Sequence, residues 1–439
     1  MAAPRPPTRL WNRDFTLLWQ GQLLSQAGTQ LHELALGLWV VERGFSATVL
    51  GLLLFASAFP SCILGPLGGA LADRHSRKRI LVACDLLFGV LGLVLAVAFF
   101  TVPGATLLLL GLLFINRVAA SLINALFWPT VSAMTPDLVP RASIGRANAA
   151  NLAASEGGKL GGRALAGIAY TALGMPMLML LDGISFLASA ASETFIREPE
   201  RPRGSCDRPP LWHDMLDGFR FVWRWRSLRA VTLVAAAFHW FLAPLMVLLP
   251  FYTQQEAFLD TTPAWLGFLF AGFGAGLITG FLLLAWGQAR WSRFVSISIP
   301  AQLLTGAGIA ALAVIRDPPA AFAALLVSGL GLGIVINAIY TTLQLSLPES
   351  VRGRALSLIG TLCTMIMPLA YAVSGLATDA IGGRVDLVFA VCGAGMVVLG
   401  LGGLAVRDLR GFLTGHPEAV LPPAHSTAAI ERSAPGPEA

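Results

Sequence analysis

Ionisable and hydrogen-bonding side chains recur at helical spacing inside stretches of this sequence that are otherwise apolar. In the first stretch, Gln22, Gln26, Thr29 and Glu33 are separated by four, three and four residues, which places them on one helical face. An ion in hydrocarbon costs several kcal/mol unless it is paired or hydrated. Glu33 is therefore a candidate proton carrier, because its proton affinity would change between a dry pocket and the neighbourhood of a cation. A permanent Glu33–cation pair that holds helices together is the competing interpretation.

Three later apolar stretches repeat this pattern. Their polar residues are Arg117 and Asn124 in one stretch, His239 in the next, and Asn337, Thr341 and Gln344 in the last. A neutral polar residue serves equally well in the lining of a substrate cavity and as a hydrogen-bonding group between helices, so both roles stay open. For Arg117 the role in the cavity lining is favoured, because its charge needs a partner or water.

The fifth apolar stretch holds three charges on one helical face. Glu156, Lys159 and Arg163 follow one another at i, i+3 and i+7. Either Glu156 merely neutralises one of the cations, or Lys159 and Arg163 recognise an anionic group of a substrate. Asp182, in the sixth stretch, is a further candidate counter-ion and, after Glu33, the next candidate to carry a proton.

The composition indicates that most of the chain lies in a membrane. Of 439 residues, 56% are hydrophobic and 12% are charged, with a mean hydropathy of +0.71. A soluble domain carries about twice that charged fraction. At about 20 residues per spanning helix, this length fits about twelve spans. We place the spans at 15–41, 47–72, 80–101, 105–128, 146–171, 176–196, 228–252, 263–287, 294–315, 319–346, 354–381 and 385–406.

The distribution of cations predicts the orientation of these spans. Loops on one side hold only Arg43, Arg316 and Arg384, and three cations fall within spans, which leaves twenty-four of the thirty Lys and Arg on the other side. Because Lys and Arg in short loops stay in the cytoplasm, we expect a multi-pass protein of the cell membrane with both termini cytoplasmic. The pI of about 9.4 reflects these loops and does not indicate a nucleic-acid partner.

A polar connector divides the spans into two sets of six. We expect a cytoplasmic N-terminal tail (1–14), an N-terminal six-helix half (15–196), a cytoplasmic linker with an amphipathic helix (197–227), a C-terminal six-helix half (228–407) and a disordered cytoplasmic tail (408–439). The segments 136–147 and 348–355, which precede spans five and eleven, both begin with Pro and an acid and end with Gly-Arg-Ala. The two halves therefore look like copies of one unit.

A basic turn between spans two and three carries an acid that topology alone does not require. The turn contains Gly69, Asp73, Arg74, Arg77, Lys78 and Arg79. Asp73 opposes the dipole of the helix that it ends, so it gains only by pairing with cations or by reaching the positive N-terminus of another helix. The turn resembles the signature loop of the major facilitator superfamily, and it departs from that pattern at Ser76, where the family usually has Gly.

The resemblance implies an all-α integral membrane fold: twelve transmembrane helices in two six-helix pseudo-symmetric halves around a central cavity lined by spans one, four, seven and ten. It also implies that the basic turn latches the halves together. We further predict that Asp73 and Arg77 govern conformational switching, with Asp73 reaching the start of span eleven near Gly353 and Arg354. Within the superfamily, the segments 129–140, 147–149, 180–187 and 218–222 resemble the branch of enterobactin-exporter-like and macrolide-efflux-like drug:proton antiporters.

By this resemblance we expect a secondary active transporter, not an enzyme, that exports a hydrophobic or amphipathic small molecule in exchange for protons by alternating access. The expected partners are the substrate, protons and the lipid bilayer, with the protein a monomer and without cofactor or metal. The sequence lacks the phosphate-binding loop of ATP-driven pumps and the His-Glu-x-x-His pattern of metallohydrolases. A facilitator or importer of a small anionic metabolite is the alternative, and a non-transporting receptor or scaffold is a remote one.

Overall fold

The computed structural model describes residues 9–197, 223, 226–286, 291–347 and 349–405, and all regular structure in these ranges is helical. The first part of the chain forms α1 (Arg13–Glu42), α2 (Ala47–Arg74), α3 (Arg77–Thr101), α4 (Thr106–Leu138) and α5 (Ile144–Glu193). The second part forms α6 (Arg226–Leu242), α7 (Pro244–Gln254), α8 (Ala264–Trp286), α9 (Trp291–Ala311), α10 (Pro318–Ser346), α11 (Glu349–Ala380) and α12 (Val385–Ala405). The predicted linker helix and C-terminal tail lie outside the described residues.

The helix α5 contains two spans joined by a sharp bend. At Gly174 the backbone has φ 72° and ψ 169°, a left-handed conformation that glycine tolerates best, and Pro176 follows. We call 144–173 the first arm of α5 and 175–193 the second arm. The helices α6 and α7 instead share one apolar stretch, Leu228–Gln254.

The helices account for the predicted number of spans. Within the described residues, nine segments are long and apolar enough to cross a bilayer, and one of them, Arg141–Glu193, contains both arms of α5. The two helices outside that set are α1, which carries the polar stripe, and α9, whose apolar part, Ile297–Ala311, is shorter. Counted in this way, with α6 and α7 as one span, the described residues form twelve spanning helices.

Polar side chains fix where several helices begin. The side chain of Asn12 accepts a hydrogen bond from the backbone N–H of Phe15 (3.0 Å) at the start of α1. The hydroxyl of Ser76 accepts one from the N–H of Arg79 (3.3 Å) at the start of α3. Ser76 is the residue that departs from the superfamily loop pattern, and here it acts as an ordinary helix N-cap.

Close helix packing shapes the N-terminal half. The helix α1 packs along both arms of α5, and α3 packs along α5 as well. A Cβ atom on Gly162 would lie 2.6 Å from the carbonyl oxygen of Ala27, and one on Gly92 would lie 2.9 Å from the Cα of Gly183. Such small residues let membrane helices approach closely. They bring the polar face of α1 directly against α5.

The two halves meet mainly along two pairs of helices, α2 with α11 and α5 with α8, and α7 also contacts α1 and α2. We call the end of the bundle with the turns 43–46 and 381–384 the upper face, and the end with the α2–α3 turn (75–76) the lower face. Near the upper face, Gly375 packs against the backbone of Ala47, and Gly167 packs against the backbone of Pro263. The halves are therefore joined tightly on this side.

Candidate functional site

A cavity of about 380 Å³ lies within the N-terminal half, between α1, α3, α4 and both arms of α5. Among the residues predicted for a proton or substrate site, it is lined by Gln26, Thr29, Glu33, Arg117, Asn124, Lys159, Arg163 and Asp182. The side chains of Gln30, His32, Asn116 and Trp128 line it as well. The fold thus gathers charges from four helical segments around one space inside the bundle.

Arg117, His32 and Asp182 form a buried cluster at the wall of this cavity. Nδ1 of His32 lies 2.8 Å from Oδ2 of Asp182. Nη2 of Arg117 lies 2.7 Å from Nε2 and 3.2 Å from Nδ1 of the same ring, and it donates to Oδ1 of Asn116 (3.1 Å). His32 is 3% exposed, and Arg117 and Asp182 are 6% exposed each. The imidazole thus lies between a buried cation and a buried anion.

Packing of α1 on the second arm of α5 sets the position of Asp182. A Cβ atom on Gly28 would lie 3.0 Å from Oδ1 of Asp182 and 2.6 Å from the hydroxyl oxygen of Ser185, so a larger residue would displace both. Among the described residues, Oδ1 of Asp182 and Nε of Arg117 have no hydrogen-bond partner. The cluster therefore presents one unused acceptor and one unused donor, which water or a ligand must satisfy.

Glu33 belongs to a second chain of polar contacts. Its Oε2 accepts a hydrogen bond from Nε2 of Gln30 (3.0 Å), and Oε1 of Gln30 accepts one from Nε of Arg163 (2.5 Å). The guanidinium carbon of Arg163 lies 5.4 Å from the ring centroid of Phe270, a cation–π distance. Because Phe270 lies on α8 of the other half, this chain joins Glu33 to the interface between the halves.

Glu156 and Lys159 form an ion pair at the margin of the cavity. Nζ of Lys159 lies 2.8 Å from Oε1 of Glu156, with the side chains 34% and 53% exposed, respectively. Lys159 lines the cavity, whereas Glu156 does not. Exposed pairs of this kind contribute little to stability.

The remaining residues predicted for the substrate site do not line this cavity. Gln22 is buried within the N-terminal half. Nδ1 of His239 lies 2.8 Å from a backbone carbonyl oxygen one turn earlier on α6. The side chain of Asn337 donates to a backbone carbonyl of α8 (3.2 Å) and accepts from Thr341 (3.1 Å), and Gln344 is exposed. The polar stripe of α10 therefore makes contacts within the C-terminal half.

In the α2–α3 turn, Arg77 has a partner within its own half. Nη1 of Arg77 lies 3.0 Å from Oδ2 of Asp137 at the end of α4, and it also donates to a backbone carbonyl of α4. Among the other residues predicted for the latch, Gly69 and Lys78 are half-buried, and Arg74 and Arg79 are exposed. The side chains of Asp73 and Arg354 and the surroundings of Gly353 are outside what the structure describes, so the contact between the turn and α11 stays a prediction.

Among the polar side chains that line the cavity, those of Gln30, His32, Ser57 and Asn116 are not predicted from the sequence. His32 lies three residues after Thr29, about 60° from it around the helix, so helical spacing places it at the edge of the polar face of α1. Spacing does not reveal its partner Asp182, which is 150 residues away in the chain. Within the described residues, no three His, Cys, Asp or Glu side chains converge as metal ligands would.

The profile of the Major Facilitator Superfamily matches residues 18–372 of this sequence. The chain belongs to the major facilitator superfamily. It is 23% identical over 377 residues to macrolide efflux protein A of Streptococcus pyogenes, covering 85% of this chain and 91% of that protein. It is 24% identical over 405 residues to multidrug efflux pump Tap of Mycolicibacterium fortuitum, covering 88% of this chain and 94% of that protein.

The fold is shared with solved transporters. A variant of the nucleoside transporter NupG is 13% identical to this chain, with a TM-score of 0.71 over 89% of this chain and 99% of that one. This likeness confirms the predicted fold of twelve transmembrane helices in two six-helix halves around a central cavity. A superfamily member with this fold is a multi-pass membrane transporter and not an enzyme.

Proposed function

We propose that this transporter exports a hydrophobic or amphipathic small molecule in exchange for protons, as a monomer in the cell membrane with both termini in the cytoplasm. The observation that carries this proposal is the cavity in the N-terminal half, where the acids Glu33 and Asp182 lie beside the cations Arg117 and Arg163. A proton antiporter needs acids whose proton affinity changes as their surroundings change. The efflux functions in the names of macrolide efflux protein A and pump Tap support export.

The other walls of the cavity suit an amphipathic substrate. Aromatic side chains line it next to the charged groups: Phe88, Phe127, Trp128 and Phe186. Aromatic faces bind apolar rings and chains without demanding one shape, while a few polar groups fix the orientation of the ligand. This combination favours a compound that is largely apolar and carries a polar or charged group.

The replacement Glu33→Gln tests proton coupling. We expect uphill efflux driven by a pH gradient to disappear, because the neutral amide can neither bind a proton nor pair with a cation such as Arg117, while downhill exchange of substrate survives. The measurement is uptake of a radiolabelled macrolide into inverted membrane vesicles, with and without an imposed pH gradient, alongside counterflow in proteoliposomes.

Glu156→Gln is the matched control, because it makes the same chemical change at an acid that does not line the cavity. It should keep both activities. Persistent uphill efflux in Glu33→Gln would place the proton elsewhere, and Asp182→Asn is then the next variant to test. Absence of gradient-driven uptake by the unaltered protein for any amphipathic compound would contradict proton-coupled export itself.

A facilitator or importer of a small anionic metabolite is the second candidate. The cations Arg117, Lys159 and Arg163 all line the cavity and supply the charge that such a substrate needs. This function predicts accumulation of organic anions in right-side-out vesicles and no dependence of macrolide movement on the pH gradient. The paired vesicle orientations separate it from export.

A further inference from the structure

We propose that His32 accepts the transported proton. Nε2 of its ring would bind either this proton or the guanidinium of Arg117, but not both at once. The proposal rests on the proton-coupled function above and names a residue in its proton pathway. It starts from the buried cluster, in which one neutral ring is held between Arg117 and Asp182. Glu33 then has a different role, as the place to which Arg117 moves.

The contacts of the ring determine its protonation state in this conformation. The carboxylate of Asp182 only accepts hydrogen bonds, so Nδ1 of His32, 2.8 Å away, carries a hydrogen. The guanidinium of Arg117 only donates, and its Nη2 lies 2.7 Å from Nε2. Nε2 therefore has no hydrogen, and His32 is a neutral imidazole with its proton on Nδ1.

A second proton on the ring and the guanidinium in its present place exclude one another. An imidazolium would put a positive ring within 3.2 Å of Nη2 from both of its nitrogens, in a cluster whose three residues are at most 6% exposed. Like charges at this separation repel strongly where water is absent. Protonation of His32 therefore requires Arg117 to move away, and return of Arg117 expels the proton.

Ionisable groups from three helices surround His32. Arg117 faces it from α4 and Asp182 from the second arm of α5, Glu33 is its neighbour on α1, and Lys159 and Arg163 line the same cavity from the first arm of α5. The α2 residue in this lining is Ser57, which does not titrate.

The proton step is balanced by these groups. A proton from water adds to Nε2, the new imidazolium stays paired with Asp182, and Arg117 is released. Glu33 carries the opposite charge in the lining of the same cavity and so offers the released guanidinium a new partner. Export in exchange for protons requires this proton to come from the outer side, and on the cytoplasmic side the step runs in reverse and the proton passes to water there.

The released guanidinium reaches a structural contact between the halves. Glu33 is joined through Gln30 to Arg163, which packs on Phe270 of α8. When Arg117 binds Glu33, it competes with Gln30 for the carboxylate and loosens this chain. A proton on His32 would then weaken one of the contacts that hold the two halves together.

Nitrogen NMR of the full chain in lipid nanodiscs, with 15N-labelled histidine, measures the protonation state and tautomer of the His32 ring directly. The chain has six histidines, and His32→Gln identifies the signals of interest. We expect His32 to show the neutral form with the proton on Nδ1. In Arg117→Gln, its titration midpoint should rise by at least about one pH unit, because the competing cation is gone.

Two further variants keep the test decisive. Arg163→Gln removes a cation from the same cavity that contacts Gln30 and not His32, so it should shift the midpoint much less. Asp182→Asn should lower the midpoint, because it removes the anion that stabilises the imidazolium. Unchanged signals of His239 in Arg117→Gln would show that this variant is folded. If it is not folded, the result for Asp182→Asn decides.

An unchanged midpoint in Arg117→Gln, or a charged His32 at neutral pH in the unaltered protein, would overturn the alternate occupancy. Neither measurement depends on transport, so the outcome is separate from that of the vesicle experiments. Shifted midpoints without gradient-driven efflux would support the exchange at His32 and contradict the proton-coupled function.

Discussion

Two cations four residues apart on α5 have different surroundings, although the sequence presents them alike. Lys159 pairs with Glu156, and both side chains are partly exposed. Arg163 instead hydrogen-bonds to Gln30 and packs on the ring of Phe270 across the interface. An exposed pair gains at most about 1 kcal/mol, whereas a charged hydrogen bond in a partly buried site contributes about 1.5–3 kcal/mol. We infer that Arg163 matters to transport and that Lys159 matters much less.

Arg163→Gln should therefore lower kcat/KM for substrate transport by about tenfold, which corresponds to about 1.4 kcal/mol. The double variant Glu156→Gln/Lys159→Gln should stay within about twofold of the unaltered protein, because it removes an exposed pair and leaves the net charge unchanged. Initial rates in proteoliposomes over a range of substrate concentrations measure both. Equal losses in the two variants would mean that the whole charged face of α5 binds substrate.

At the scale of the elements, the carboxylate of Asp379 joins the two halves at the upper face. It accepts hydrogen bonds from the backbone N–H groups of Ala47 (3.2 Å) and Thr48 (2.9 Å), the first residues of α2. Ser46, the N-cap residue of α2, makes no side-chain capping hydrogen bond. Asp379, near the end of α11, thus supplies from the other half the cap that α2 lacks, and its charge suits the positive helix N-terminus.

Asp379→Ala should weaken the closed upper face. A lost N-cap costs about 1 kcal/mol, so the ratio of closed to open molecules should fall about fivefold. Spin labels at Leu107, at the start of α4, and at Val314, in the turn after α9, report the separation of the halves at this face by pulsed EPR, because these side chains are 78% and 79% exposed. We expect a growing population at longer distances.

Asp386→Ala is the control for that measurement, because Asp386 pairs with Arg384 (3.0 Å) within the same half at the same face. Its distance distribution should match that of the unaltered protein. A similar broadening in both variants would point to a general loss of order at the upper face and not to the cap.

At the scale of the whole molecule, the sequence predicts the helices well and their side-chain partners poorly. Hydropathy locates the spans because the bilayer fixes their length and composition, and Pro176 after Gly174 marks the break within α5. Helical periodicity predicts which face of α1 is polar, but not that His32 meets Asp182, because that contact depends on how closely α1 and α5 pack. Likewise, the stripe with Asn337 lies on a predicted cavity helix, yet its contacts lie within the C-terminal half.

The contacts between the halves also indicate which way the molecule is closed. From the middle of the bundle to the upper face, the described residues make successive contacts: Leu160 with Gly274, Arg163 with Gly267, Gly37 with Pro250 and Thr48 with Asp379. These contacts block a path from the cavity to the upper face. If the lower face is cytoplasmic, as the cations predict, the closed face is the outer one.

Cysteine labelling tests the orientation and the closed face together. In a background without the five native cysteines, a membrane-impermeant maleimide added to intact cells should react with Leu107→Cys at the upper face. It should react with Arg79→Cys, exposed at the lower face, only after the cells are permeabilised. The cavity variant Asn124→Cys should follow Arg79→Cys, because its cavity is shut off from the upper face. Labelling of Arg79→Cys in intact cells would show that the predicted orientation is wrong and that the lower face lies outside. Labelling of Asn124→Cys but not of Arg79→Cys would show that the upper face opens in the resting protein.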